Sequence, residues 1–299
     1  MRKKLLFVFN PKAGNGKLRS YLMDIIDIFN QNGYEVTAFA TQKARDAVEI
    51  VMEYGSRVDL VVCSGGDGTL DEVVTGLMRG GLDTPVGYIP TGSTNDFANS
   101  LFLPKDPLEV ARNIMKQNVY CCDVGRFNEQ TFTYIAAFGL FTDVSYDTPQ
   151  DLKNVLGHLA YLLNGITRLF DIKSYPLIVE ANGKKLKREF IYGMITNSRS
   201  VGGFKNLTRD VDMNDGLFEV TLIEMPENPL EMQQIVTALL MEEDDLDKIH
   251  TFKASSLEIT AADPVPWTLD GEFGGRHEHV QIENRQKALK LFLTSSKDE

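Results

Sequence analysis

The residues best placed to do chemistry lie in the stretch Ser64-Gly65-Gly66-Asp67-Gly68-Thr69-Leu70-Asp71-Glu72. The β-branched, apolar run Val58–Val62 before it reads as a buried parallel strand, and an amphipathic run follows from Thr69 to Met78. Strand, glycine turn and helix N-terminus together make an anion site. Glycines let the backbone approach a phosphate, and the free amides and dipole of the helix favour negative charge. Asp67 is the odd member, because a carboxylate repels a bare phosphate. Holding Mg2+ would give it a function. An ordinary Gly-Asp-Gly turn is the competing reading, and the flanking strand and helix weigh against it.

Three further constellations stand out. Pro90-Thr91-Gly92-Ser93-Thr94-Asn95-Asp96-Phe97-Ala98 follows the short strand expected over Pro85–Ile89. It gathers hydroxyls, an amide and a carboxylate at a strand's carboxyl end, where α/β sheets bind ligands; a capping turn with Ser93 or Asp96 as N-cap is the alternative. Asp210-Val211-Asp212-Met213-Asn214-Asp215-Gly216-Leu217 offers hard oxygen ligands for Mg2+ or Ca2+, and equally reads as an Asx-rich turn that starts a strand. In Thr268-Leu269-Asp270-Gly271-Glu272, Glu272 could serve as a general base if a domain cleft brings it to a substrate hydroxyl, although Asp-Gly turns are common. His158, His250, His277 and His279 are scattered and make no zinc site, and no Ser/His/Asp or Cys/His hydrolase arrangement is apparent.

The elements that must position these residues follow from periodicity. Lys4–Phe9 is expected as a first strand, ending in a second glycine turn, Asn10-Pro11-Lys12-Ala13-Gly14-Asn15-Gly16-Lys17, whose spacing is not G-x-G-x-x-G. A helix with Leu18, Leu22, Ile25, Ile26 and Phe29 on its apolar face follows, then a strand over Tyr34–Ala40 and helices over Ala44–Tyr54 and Pro107–Asn118. This βα alternation predicts a doubly wound parallel sheet in an N-terminal α/β domain. The pattern changes near Val119–Val124. Beyond it, strands are expected over Thr131–Ala137, Leu177–Glu180, Lys185–Thr196, Leu217–Glu224, His250–Ala261, Val280–Glu283 and Ala288–Thr294. Asn182-Gly183 makes a hairpin turn, and helical segments are expected over Asp151–Asp171 and Asn228–Met241. The acidic run Glu242–Asp245 reads as a solvated loop. The second domain is therefore expected to be β-rich and antiparallel, with the active site in the cleft between the two. The boundaries expected are 1–124 for the first domain, to which 287–299 returns, and 125–286 for the second.

Bulk properties exclude some classes. The 299 residues suit two domains, and 43% hydrophobic with 24% charged residues is ordinary for a globular protein. A net charge of −11 gives no support to nucleic-acid binding. The charge is uneven, with 13 basic against 15 acidic residues in 1–124 and 18 against 27 beyond, so the first part is the less repulsive host for a polyphosphate. Cys63, Cys121 and Cys122 read as free thiols of a reducing cytosol. Leu5–Phe9 is too short for a signal peptide's apolar region, and no stretch approaches the ~20 apolar residues of a membrane span. A soluble chain is expected, meeting any lipid at a membrane surface or through a pocket. A homodimer is compatible with the sequence, which does not fix the oligomeric state.

Across nearly its whole length the chain resembles the soluble bacterial lipid kinases that share the diacylglycerol kinase catalytic domain, with sphingosine and ceramide kinases as more distant relatives. Asn10-Pro11 with its glycine turn, Gly65–Thr69, Pro90–Ala98, Val144–Pro149, Asp215–Phe218 and Asp270–Glu272 carry the resemblance. The glycine–aspartate motif is shared with NAD kinases and phosphofructokinases; Asn95-Asp96-Phe97 and Asp270-Gly271-Glu272 set lipid kinases apart. The resemblance implies ATP contacts from Asn10, Pro11, Lys12, Ala13, Gly14, Thr41, Gly66, Asp67, Gly68, Thr69, Leu70, Asp71, Glu72 and Ser93. It implies that Glu272 takes the proton from the lipid hydroxyl, with Asp67 and Asp96 placing a catalytic Mg2+. A second, structural Mg2+ would sit on the Asp215 side chain and main-chain oxygens of Asp212 and Leu217. The final strand would return to complete the first domain. Three departures are Asp71 where Asn is usual, Ser93 where Thr is usual, and Phe138 where some members have glycine, which implies a narrower pocket. The expected activity is ATP- and Mg2+-dependent phosphorylation of a lipid hydroxyl by a cytoplasmic, membrane-peripheral enzyme. Diacylglycerol, giving phosphatidic acid, is the first candidate, and phosphatidylglycerol, sphingoid or ceramide-type alcohols are alternatives. An NAD kinase-like enzyme and a non-catalytic lipid- or nucleotide-binding regulator remain the rival classes.

Overall fold

Runs of β-branched and aromatic residues at Lys3–Phe9 (β1), Tyr34–Ala40 (β2), Leu60–Gly65 (β3) and Val86–Pro90 (β4) form parallel strands in the order β4-β3-β1-β2. The computed structural model describes residues 2–140, 172–201, 204–205, 211–241 and 246–293. The sequence features at Val144–Pro149, Asp151–Asp171, Glu242–Asp245 and Asp210 lie outside them. Every residue of β3 and β4 is buried, the signature of a sheet covered on both faces. The helices are Leu22–Gln31 (α1), Asp46–Tyr54 (α2), Asp67–Gly80 (α3), Asp96–Ser100 (α4) and Pro107–Ile114 (α5). Ile25 and Phe29 of α1 and Val110, Ala111 and Ile114 of α5 pack on Leu5, Phe7, Leu60 and Val62, with Phe7 edge-on to Phe29 at 5.7 Å. On the opposite side of the strands Leu6, Val8, Val61 and Cys63 have no exposed surface.

The chain divides into two compact units, Met1–Val124 with Gln286–Glu299, and Gly125–Arg285. The first contains the doubly wound sheet. The last strand, Glu272–Leu293 (β15), brings Leu291 alongside Val86 of β4 in parallel pairing. Its passage there is tied at Lys287, whose amide donates to the buried Asp123 Oδ1 at 2.7 Å.

The second unit is antiparallel. Its strands include Gln130–Phe132 (β6), which pairs with the end of Asn118–Phe127 (β5), then Ile135–Gly139 (β7), Tyr175–Ala181 (β8) and Lys184–Thr196 (β9). Ser200–Val201 (β10) and Phe204–Lys205 (β11) form a small separate pair. Phe218–Glu224 (β12), Ile249–Ala254 (β13) and Ser256–Leu269 (β14) complete it, with β12 between β13 and β9 and β14 paired with β7, β8 and β15. Asn182 and Gly183 take positive φ of 52° and 71°, the turn that Asn-Gly specifies between β8 and β9. A further helix among the described residues, Pro229–Met241 (α6), is capped by Asn228, whose Oδ1 accepts the amides of Leu230 and Glu231. Trp267, Phe138, Phe190 and Phe218 lie in one apolar core. Phe138 is fully buried, edge-on to Trp267 at 4.9 Å, and faces Gly193, where a Cβ would collide with its ring. This departure from the family pattern is therefore core packing.

Several element boundaries differ from expectation, each for a local reason. The helix expected from Leu18 begins at Leu22, because Gly14, Asn15 and Gly16 are all left-handed and interrupt the preceding turn. The helix expected over Ala44–Tyr54 begins at Asp46 after left-handed Arg45, and the one expected to reach Asn118 ends at Ile114. Asp67 is the first residue of α3 and not a loop residue. The strand expected over Thr131–Ala137 is broken at Thr133-Tyr134, whose amides turn to a buried carboxylate described below. His250–Ala261 is two strands separated at Ser255, whereas Val280–Glu283 and Ala288 onward belong to the single strand β15.

Candidate active site

The candidate site of the first unit is built on the carboxyl ends of β1, β3 and β4. The amide of Asn10 donates to Ser64 O at 2.9 Å, and those of Thr91 and Gly92 donate to Gly65 O at 2.8 and 3.1 Å. Three glycine turns thereby meet backbone to backbone. A Cβ on Gly92 would lie 2.4 Å from Gly66 Cα, and one on Gly14 would lie 2.0 Å from Thr91 O, so neither position admits a side chain. Beside them Ser64 and Thr91 share a buried hydroxyl–hydroxyl hydrogen bond of 3.2 Å. The first-turn amides of α3 open onto this end of the sheet, with Gly66 extended at the N-cap.

Asp67 has a function that its sequence context does not reveal. Its Oδ2 accepts the Asp96 amide at 3.0 Å and its Oδ1 the Phe97 amide at 3.2 Å. Asn95, the N-cap of α4, is left-handed and supplies no side-chain cap. The carboxylate of α3 does that work for α4, so neither Ser93 nor Asp96 is the cap. Asp96 is itself buried.

The remaining sequence candidates are distributed as follows. Asn10 Oδ1 accepts the Lys12 amide at 2.9 Å, which shapes the turn through Pro11, Ala13 and Gly14. Thr41 joins this end of the sheet through its amide, which donates to Phe9 O at 2.9 Å. Gly68 and Asp71 are partly buried in the first turns of α3, and Ser93 is exposed. Thr69 and Leu70 are buried, so Leu70 could meet a nucleotide only through its backbone. Glu72 points elsewhere: its two oxygens accept the amides of Arg45 (2.8 Å) and Ala47 (3.1 Å), capping α2.

In the second unit, Asp270 and Gly271 take φ of 49° and 84° in a two-residue turn between Leu269 and Glu272. Asp270 is buried. Its Oδ2 accepts the amide (2.5 Å) and hydroxyl (2.7 Å) of Thr133, and its Oδ1 the amides of Tyr134 (3.0 Å) and Ile135 (2.9 Å). Glu272, first residue of β15, is held exposed at the end of this turn. Asp270 and Asp123 were missed as anchors. The available signal was a carboxylate inside an apolar run, as in Cys121-Cys122-Asp123-Val124.

The Asp212–Leu217 segment contains two Asx turns, Asp212 Oδ1 to the Asn214 amide (3.3 Å) and Asp215 Oδ1 to the Leu217 amide (2.9 Å). Asp215 Oδ2 lies 3.4 Å from Lys253 Nζ, which also pairs with Glu219 at 3.1 Å. Burial raises the Glu219 carboxyl to about 7, with the Lys253 ammonium pulling it down. Hard oxygen donors suit Mg2+ chemically. Among the described residues no group of three His, Cys, Asp or Glu side chains could hold a metal, so a cation here would rest on one carboxylate and main-chain oxygens.

Comparison with known proteins settles the family. A diacylglycerol kinase catalytic domain model matches residues 4–127, and a YegS C-terminal NAD kinase beta sandwich-like domain model matches 139–293. A diacylglycerol kinase of Bacillus subtilis (strain 168) is 34% identical over 303 residues, covering 97% of this chain and 99% of that protein. The chain belongs to the diacylglycerol kinase family. A second diacylglycerol kinase, of Staphylococcus epidermidis (strain RP62A), is 33% identical over 292 residues, or 94% of this chain and 92% of its own. A crystal structure described as a candidate diacylglycerol kinase from Bacillus anthracis str. Sterne superposes with a TM-score of 0.82 at 27% identity, covering 98% of this chain and 96% of that one. Like its diacylglycerol kinase relatives, this chain is a lipid kinase with an α/β catalytic domain followed by a β-rich domain. No helix among the described residues is long and apolar enough to cross a membrane.

Proposed function

We propose that the protein transfers the γ-phosphoryl group of ATP, with Mg2+, to the primary hydroxyl of diacylglycerol, producing phosphatidic acid and ADP. The observation that carries this reading is the meeting of three glycine turns, with the α3 N-terminus, at the carboxyl ends of β1, β3 and β4. Amides presented there suit the ATP phosphates, with Asn10–Gly14, Thr41, Gly66–Glu72 and Ser93 around the nucleotide. Glu72 acts through the placement of α2, and Leu70 through its backbone. Asp67 and Asp96 belong to the placement of the catalytic Mg2+, which when bound neutralises charge on the phosphates. Asp215, with main-chain oxygens of Asp212 and Leu217, is the proposed structural Mg2+ site.

Glu272 is the proposed base. It accepts the proton of the lipid hydroxyl as that oxygen bonds to the γ-phosphorus and the bond from phosphorus to the ADP oxygen breaks. Its exposure leaves it open to an incoming substrate, and the Asp270 turn fixes where its backbone begins. The reaction is assigned to the cytoplasmic face of a membrane, which accords with three free cysteines. The test is phosphorylation of a panel of dispersed lipid alcohols with labelled ATP. Diacylglycerol should be labelled in preference to phosphatidylglycerol, sphingoid bases and ceramide; preferential labelling of another alcohol would replace the substrate.

A further inference from the structure

Glu219 stands directly opposite Lys253 where β12 and β13 pair, and Thr196 of β9 flanks it on the other side. The Thr196 hydroxyl is committed to Tyr134 O at 2.6 Å. The counter-charge of Glu219 is the Lys253 ammonium, 3.1 Å from Oε1. The Glu219 side chain is only 9% exposed, so water does little to screen the pair, while Lys253 is 39% exposed. A carboxylate placed so deep holds on to a cation, because losing it would leave a buried charge unpaired.

The same ammonium faces the turn before β12. Asp215 Oδ1 accepts the Leu217 amide at 2.9 Å, and Oδ2 lies 3.4 Å from Lys253 Nζ. One oxygen is engaged by backbone and the other by charge. The base of the lysine is fixed as well, since its carbonyl accepts Asn182 Nδ2 at 2.7 Å. Two carboxylates share one ammonium, so the cluster neutralises Asp215 from within yet keeps a net negative charge that attracts a further cation.

We propose that Lys253 is a built-in counter-ion that competes with Mg2+ for Asp215. Without metal, its ammonium bridges Asp215 and Glu219 and holds the turn against the β12–β13 pair. With metal on the turn, the ammonium moves onto Glu219 alone. Glu219 makes that exchange possible, because it keeps the displaced ammonium compensated beside a divalent cation. This inference rests on the structural-metal reading of Asp215 above and adds a residue pair that sets how tightly the metal is held.

The test is calorimetric titration of the full chain with MgCl2, without ATP or lipid, at fixed ionic strength. Thermal midpoints in chelator and in MgCl2 give a second readout. Asp215→Asn marks the binding that belongs to this turn. Lys253→Met should tighten that binding about tenfold or more, by removing a positive charge next to the metal, and should enlarge the rise in midpoint on adding MgCl2. Lys253→Met/Glu219→Gln should bind equally tightly, and it removes the unpaired buried carboxylate that would otherwise weaken the fold. Equal Mg2+ affinity in wild type and both variants would overturn the competition, and weaker affinity in the variants would show that Lys253 supports the site. Mg2+ binding unaffected by Asp215→Asn in every background would overturn the structural-metal reading together with this inference. The kinase reading is judged separately, by turnover of diacylglycerol by wild type.

Discussion

Asp67 accepts the backbone amide of Asp96, at 3.0 Å, and so one acidic residue of the site fixes the position of the other. The carboxylate at the start of α3 holds the start of α4 through the amides of Asp96 and Phe97. Asp67→Ala should therefore cost ~1–3 kcal/mol in unfolding free energy as well as the metal-dependent activity. Asp67→Asn keeps one acceptor oxygen and should lose less stability. Urea unfolding of the two variants beside their Mg2+ titrations measures both roles, and an unchanged unfolding midpoint in Asp67→Ala would remove the capping role.

Glu272→Gln should lower kcat by ~10²–10⁴-fold, the usual contribution of a positioned base, while ATP affinity by calorimetry stays at the wild-type value. Near-normal turnover in this variant would exclude Glu272 as the base.

Asp270 should behave as a structural anchor. Replacing it with Ala leaves four buried donors on Thr133, Tyr134 and Ile135 without their acceptor, for a loss of about 3 kcal/mol or more in stability. The same variant should lower kcat, because the turn that starts β15 at Glu272 loses its tether. Denaturant unfolding read together with kcat checks both; a stable variant with normal kcat would contradict this account.

Gly92→Ala should separate the β3 and β4 turns, since the new methyl would meet Gly66 Cα at 2.4 Å. The expected outcome is a rise in KM for ATP, with a stability loss of ~1–3 kcal/mol for the overpacked contact. Isothermal titration with ATP would show it, and unaltered affinity would place the nucleotide away from these turns.

The pH dependence of stability should carry a contribution from Glu219. Its carboxyl sits at about 7 in the folded protein, above its unfolded value, so the folded state keeps a proton that the unfolded state has lost. Stability therefore falls as pH rises from about 4.5 to about 7 and levels off above that, by about 3 kcal/mol in total. Glu219→Gln should remove this slope and be more stable than wild type at pH 8. Unfolding free energies at pH 5 and 8 in chelator test the assignment, and parallel profiles for the two proteins would refute it.

Much of this was legible without coordinates. Val58–Val62, the glycine turn and the amphipathic run to Met78 are short-range signals, because burial on both faces and a helical stripe are written in neighbouring residues. Asn182-Gly183 and Asn228-Pro229 specified their turn and cap for the same reason. Boundaries slipped where an interaction from afar intervened. The strand expected through Thr131–Ala137 breaks because its amides turn to Asp270, 137 residues later from Thr133.

The α/β-then-β order, the Gly65–Thr69 turn and the family to which the chain belongs are readable from the residues alone. All of these rest on local pattern or on motifs at fixed spacing. What individual carboxylates do emerges with the folded chain. Asp67 caps α4, Glu72 caps α2, and Asp123 and Asp270 hold backbone amides of distant strands. A carboxylate looks the same in sequence whether it faces metal, substrate or an amide. Which of these it meets depends on chain brought together across tens to hundreds of residues, and that is fixed only when the strands pair.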